Sequence, residues 1–264
     1  MKKVILSIFL LISGSSASDS WYDSLPKEDK VLYTNIAAGA GIIGWGIKYW
    51  DYGDRKPHMK NEEWFGSDTK EGGADKLGHF YTNYVVTHGL AALYENWGYS
   101  QEKAARLGAF SSFGLFAIME IGDSFSPYGM SYEDMTMNLA GSIVGYYWYK
   151  YPELQEKMDF RVEYDPALEG DNGGDITTNY HKMKYLMAIK AEGFDLFRNN
   201  DVLKYFELHI GHYTRGYQDQ NLPNEHHGYA GIGINLSKLL RKPLGRYSKI
   251  FNYYQVPRTY IKNR

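Results

Sequence analysis

Eight polar residues, in three short stretches, have types and spacings that could do chemistry. "GGADKLGHF" carries Asp75, Lys76 and His79; "EIGDSF" carries Glu120 and Asp123; "SYEDMTMNLAG" carries Ser131, Asp134 and Asn138. Separations of three and four residues put each set on one face of a helix. An imidazole at His79 suits a general base, Glu120, Asp123 or Asp134 an orienting partner or acid, and Lys76 a clamp for an anion. The same residue types also suit a divalent cation held by Asp75, His79, Glu120 and Asp123. No nucleophile stands out, and no cofactor is named by these residues. Part of the set has a structural explanation. Ser131 to Asp134 reads as a helix-capping box with aspartate in place of glutamate, and an aspartate at a helix start, as at Asp75, is favoured by the helix dipole. Glu120 and Asp123 are harder to explain that way. Two carboxylates in the last turn of a helix oppose its dipole and repel each other, and they follow the apolar run "FGLFAIM", where burial demands partners.

The elements that must position these residues are helices. Apolar patterning predicts them at about 31–50, 75–97, 101–123 and 131–151, with Pro152 ending the series. An up-and-down arrangement brings the start of the second, the end of the third and the start of the fourth to one end. The polar connection from Asp51 to Ala74 starts at that end and is placed to cover it. The first helix, "VLYTNIAAGAGIIGWGIKYW", reads as buried, with Ala37 and Gly41, and Ala40 and Gly44, spaced to let another helix approach; membrane contact is the rival reading. Beyond Pro152, "KYLMAIKAEGF", "KYFELHIGHY" and "GYAGIGINL" alternate as strands do. In the second of these, Phe206, Leu208, Ile210 and His212 share one face and Glu207 and His209 the other, so His209 and His212 do not share a metal. "EHH" (Glu225 to His227) reads as a turn. The expected fold is α+β: a four-helix bundle over residues 18–152 and a small antiparallel β-sheet region over 153–264.

Composition bounds the function. The net charge of −2 offers no basic field for nucleic acid. The 25 tyrosines, rings with a polar tip, suit an interface or a membrane edge. Lys2 and Lys3, the apolar run from Val4 to Ile12, and small residues at Ser15 and Ala17 read as an export signal over residues 1–17, cleaved before Ser18. The chain has no cysteine, hence no disulfide and no thiolate metal site.

Taken in order, Asp-Lys-x-x-His, Glu-x-x-Asp and Ser-x-x-Asp-x-x-x-Asn-x-x-Gly resemble the YfiM-like predicted periplasmic lipoproteins of the VanZ-like superfamily. Here the pattern falls on Asp75, Lys76, His79, Glu120, Asp123, Ser131, Asp134, Asn138 and Gly141, within roughly residues 60–150. The resemblance implies a helical bundle and a periplasmic location, with association to the outer membrane. It implies no particular reaction. The sequence departs from the lipoprotein pattern by lacking the cysteine that would carry the lipid. Two functions follow as expectations. The first is a non-catalytic structural or interaction protein of the envelope; the second is a hydrolase or group-transfer enzyme. The expected partner is an envelope lipid, a cell-wall component or another envelope protein.

Overall fold

A computed structural model describes residues 21–69, 71–168, 177–217 and 222–263. The export signal and the "DNGGD" turn signal (Asp171 to Asp175) lie outside them. Four long helices come first: α1 (Lys27–Tyr49), α2 (Ala74–Asn96), α3 (Gln101–Ser124) and α4 (Tyr132–Lys150). Gly73 opens α2 at φ +80°, a left-handed conformation that glycine adopts without strain. Ser131 caps α4 by accepting the Asp134 N–H, as the capping box predicts. Pro152 begins a separate short helix, α5 (Pro152–Lys157).

Glycines let α2, α3 and α4 approach at backbone distance. A Cβ on Gly108 of α3 would lie 2.7 Å from the Thr87 carbonyl oxygen, and one on Gly141 of α4 would lie 2.1 Å from that of Phe80. Among the described residues, α3 is the one helix long and apolar enough to cross a membrane; it contacts α1, α2 and α4, and only a third of its apolar stretch is buried.

The first helix differs from expectation. It is not buried: Leu32, Ile36, Ile43 and Ile47 are exposed. Gly41 and Gly44, expected to meet a neighbour, face open space, whereas Gly39 lies against Ile118 and Leu115 of α3. The reason is that α3 is the main neighbour of α1, so only one stripe is covered.

Among the described residues that follow, β1 (Met158–Tyr164), β2 (Met183–Lys190), β3 (Phe206–Arg215), β4 (Glu225–Ile234), β5 (Tyr254–Gln255) and β6 (Tyr260–Lys262) form one sheet in the order β5-β1-β2-β3-β4-β6. The expected antiparallel region is in fact mixed. β5 runs parallel to β1, which its long connection from β4 permits. The "EHH" residues are not in a turn; they open β4, paired with Tyr213, Thr214 and Arg215. Short helices α6 (Asp195–Arg198), α7 (Leu236–Leu239) and α8 (Arg241–Leu244), followed by a 3-10 segment (Gly245–Asn252), gather at one end of the sheet.

The sheet is inverted relative to a soluble core. Asp159 pairs with Ala188, Ala188 with His209 and His209 with Gly231, and this face buries Asp159, Arg161, Glu163, Lys190, Glu207 and His209 beside a small apolar cluster of Leu186, Ala188 and Tyr229. On the opposite face, β1 and β2 pack on the bundle, with the Phe160 ring 5.1 Å from Phe80 and 5.7 Å from Trp148. That apolar face continues uncovered into β3, β4 and β6. Phe206, Leu208, Ile210, Ile232, Ile234 and Ile261 are exposed, Ile261 at 83%.

Candidate functional site

The start of α2, the end of α3 and the start of α4 meet at one end of the bundle, and the polar side chains they carry meet there too. Lys76 is buried with its Nζ 2.7 Å from Asp134 Oδ1, 2.8 Å from Glu62 Oε2 and 3.0 Å from Asp75 Oδ2. Burial opposes its charge, but Asp75 and Asp134 outweigh that and hold the ammonium well above the usual lysine range. Burial raises the Glu62 carboxyl and the Lys76 hydrogen bond lowers it further, to about 2.

His79 lies beside this group. Its Nδ1–H donates to Asn138 Oδ1 at 3.0 Å, leaving Nε2 3.8 Å from Asp134 Oδ2, while Nδ1 is 3.6 Å from Glu120 Oε1. Burial alone would depress the imidazole pKa; the carboxylates of Asp134, Glu120 and Asp75 together raise it. Asn138 Oδ1 also accepts from Asn83 Nδ2 at 2.6 Å, and Asn83 Oδ1 accepts from Ser112 and Ser142. This relay fixes the imidazole plane from behind.

Glu120 is 1% exposed. Its Oε2 accepts the Ser131 N–H at 3.3 Å, which supplies from another helix the reciprocal half of the α4 cap. Its Oε1 has no hydrogen-bond partner, nor has Asn138 Nδ2. Burial, with Asp134 and Asp123 adding to it against the pull of His79, raises the Glu120 carboxyl to about 8. Burial likewise raises Asp123 to about 6, although its hydrogen bond with Tyr52 pulls the other way. Asp134 is raised mainly by burial against the opposing His79 and Lys76.

Asp123 thus reaches the same end but faces Tyr52, so the set of cation ligands expected from Asp75, His79, Glu120 and Asp123 is not the one the fold assembles. His79, Glu120 and Asp134 offer ligand atoms within 4.8 Å of one another, as do Glu62, Asp75 and Asp134. The second set already encloses the Lys76 ammonium. Ser131, expected as a ligand-binding residue, is engaged locally. Its Oγ donates to Glu133 Oε2 and accepts the Asp134 N–H.

Sequence reasoning missed Glu62, Asn83 and Glu133. The only signal for Glu62 was its place in a long polar connection, and a loop has no periodicity that aims a side chain. Missed too was the buried network on the sheet. Arg161 makes a paired contact to Glu207 at 2.6 and 2.9 Å and bonds Asp159 at 2.7 Å; Lys190 pairs with Asp159 at 2.8 Å and Lys184 with Glu163. "MDFRVEY" signals it, by a charge at every second position.

No curated protein and no solved structure matches the chain. Residues 61–150, which hold the connection and the three helices of the site, match a family described as predicted periplasmic lipoprotein (DUF2279), a likeness that brings no reaction with it and places the chain in the periplasm, as an exported protein of the cell envelope.

Proposed function

We propose that the protein is a non-catalytic structural or interaction protein of the envelope, of the YfiM-like type within the VanZ-like superfamily, that docks on an anionic phospholipid surface. The observation that carries this reading is the inverted sheet, with charges inside and Phe206, Leu208, Ile210, Ile232, Ile234 and Ile261 outside. Apolar-out and polar-in is the arrangement a protein adopts against lipid rather than water. Charge complementarity supports the choice of partner. The chain that follows β4 adds basic and apolar residues, with Arg241, Lys242, Arg246 and Lys249 exposed among Leu244, Tyr247 and Ile250. Such a surface suits anionic headgroups, at about 1 kcal/mol per basic residue near the membrane.

The polar cluster then locks the register of α2, α3 and α4. The rival reading, an envelope hydrolase or group-transfer enzyme, draws support from a carboxyl held protonated beside His79. Against it, the Ser131 hydroxyl is engaged in the α4 cap.

Vesicle co-sedimentation tests the proposal. The protein is expected to bind vesicles of phosphatidylglycerol and phosphatidylcholine, to release as salt rises, and to bind pure phosphatidylcholine less. Arg246→Gln and Lys249→Gln should each weaken binding about fivefold. A protein that stays in the supernatant with both vesicles, or that buries this face in a stable dimer by sedimentation velocity, defeats the reading.

A further inference from the structure

We infer that His79, Glu120 and Asp134 form a binding site for one divalent cation of borderline hardness, zinc or manganese. The inference goes beyond the lipid-docking reading and does not depend on it.

The first ground is charge. Glu62, Asp75, Glu120, Asp123 and Asp134 converge at this end of the bundle against one buried ammonium, Lys76, with Lys60 3.4 Å from Glu62 at the exposed rim. The carboxylate surplus lies on the His79 side, because Lys76 already serves Glu62, Asp75 and Asp134. Buried carboxylates without a cation are strongly disfavoured, so the arrangement calls for protons or a metal ion.

The second ground is independent of charge. Glu120 is buried to 1% exposure and its Oε1 has no hydrogen-bond partner among the described residues; the carboxylate lies 3.6 Å from His79 Nδ1, and His79, Glu120 and Asp134 each offer a ligand atom within 4.8 Å of the others. Nothing about the α4 cap requires that atom, since Oε2 alone meets the Ser131 N–H.

The third ground is the posture of the histidine. Metal-binding imidazoles characteristically donate their second N–H to an oxygen that fixes the ring. Here Nδ1–H donates to Asn138 Oδ1, and Asn138 is itself held by Asn83, leaving Nε2 toward Asp134 Oδ2. One imidazole and two carboxylates suit zinc or manganese better than calcium, which takes oxygen ligands. Asp134 would lie between the metal and the Lys76 ammonium, shared by both. Its position at the meeting of α2, α3 and α4 makes the site structural, tying three helices through one ion.

The test uses the mature chain, treated with chelator and dialysed, then titrated with zinc chloride and with manganese chloride by calorimetry, and followed by thermal unfolding. The expected result is saturable binding of one ion per chain by at least one of the two, with a rise in melting temperature. Glu120→Gln and His79→Gln should each weaken binding by roughly tenfold or more, whereas His226→Gln should leave it unchanged. Absence of saturable binding overturns the inference, as does binding that survives Glu120→Gln or disappears in His226→Gln. If a variant fails to fold by circular dichroism, the wild-type protein decides alone. The ion that binds should selectively perturb the His79 imidazole NMR signals, manganese by broadening them at substoichiometric amounts and zinc by shifting them, and signals that neither ion changes overturn the site. Vesicle binding is measured separately, so failure here leaves the lipid reading standing.

Discussion

The molecule buries two charged networks, and they are built on different principles. On the sheet, Asp159, Glu163 and Glu207 face Arg161, Lys184 and Lys190, one cation for each carboxylate and each carboxylate in contact with a cation, although Glu163 Oε2 has no hydrogen-bond partner among the described residues. At the end of the bundle, carboxylates outnumber cations and three acids, Glu120, Asp123 and Asp134, have raised pKa values. A balanced network needs nothing from outside and reads as scaffold. An unbalanced one is complete only when something else binds, and that difference separates a structural device from a candidate site better than burial does.

The largest expected effect falls on the balanced network. Arg161 is 1% exposed and serves both Asp159 and Glu207. Arg161→Met keeps much of its volume but leaves two buried carboxylates short of a partner. The expected loss is about 3–5 kcal/mol of stability, measured by urea unfolding of the metal-free protein. A loss below about 1 kcal/mol, the range of an exposed pair, would mean that the sheet network is wet and the contrast with the bundle false.

The second effect comes from a buried group that both networks exclude. His88 lies between α4 and the C-terminal segment. Its Nε2–H donates to the Gly145 carbonyl at 3.0 Å and its Nδ1 accepts from the Tyr253 hydroxyl at 2.8 Å. The neutral ring is satisfied at both nitrogens, and burial lowers its pKa from 6.5 to about 4, against a smaller opposing effect of the Gly145 bond. The unfolded chain therefore binds a proton before the folded one does, and stability falls as pH drops from 6.5 toward 4. The total is about 3 kcal/mol. Because carboxylates with raised pKa values act with the opposite sign, the measurement is the difference between wild type and His88→Gln. The variant should lose stability at pH 7 and show a flatter dependence between pH 6.5 and 4. Parallel curves would remove His88 as an acid-sensitive group.

Much of this was legible from residues alone, and the limits have physical causes. The bounds of α2, α3 and α4 follow from capping and glycine signals close to the chain, and convergence of His79, Glu120 and Asp134 follows once three helices run up and down. A helix position predicts which end Asp123 reaches but not its partner, because Tyr52 arrives from a loop with no period. Alternation in "KYFELHIGHY" separates two faces of a strand correctly but is silent on which one is covered, and here the covered face is the polar one. The open face of α1 was misread for a similar reason. Small residues at helical spacing show where a partner is able to approach, and Gly39 rather than Gly41 is where α3 does so. β1, β5 and β6 depend on pairing between distant segments, which leaves little local trace.

The smallest expected effect is also the sharpest test of the contrast, because its sign differs from that of Arg161→Met. Glu120→Gln preserves shape and one carbonyl oxygen, so the amide can still accept the Ser131 N–H that Glu120 Oε2 accepts now. What it removes is a carboxyl that, once ionised, adds charge to a cluster with too many, in the last turn of α3, where the dipole also opposes that charge. The new amide N–H places a donor near Asp134 and His79 instead of an acceptor without a partner. In chelator, the variant should therefore unfold at the same denaturant concentration as wild type or slightly higher, a gain of at most about 1 kcal/mol, as for other removals of an unpartnered repulsive charge. Added zinc or manganese should then stabilise the wild-type protein and not the variant, reversing their order. A loss near that of Arg161→Met, in chelator, would mean that the bundle cluster depends on the Glu120 charge as the sheet depends on Arg161. The two networks would then be the same kind of scaffold.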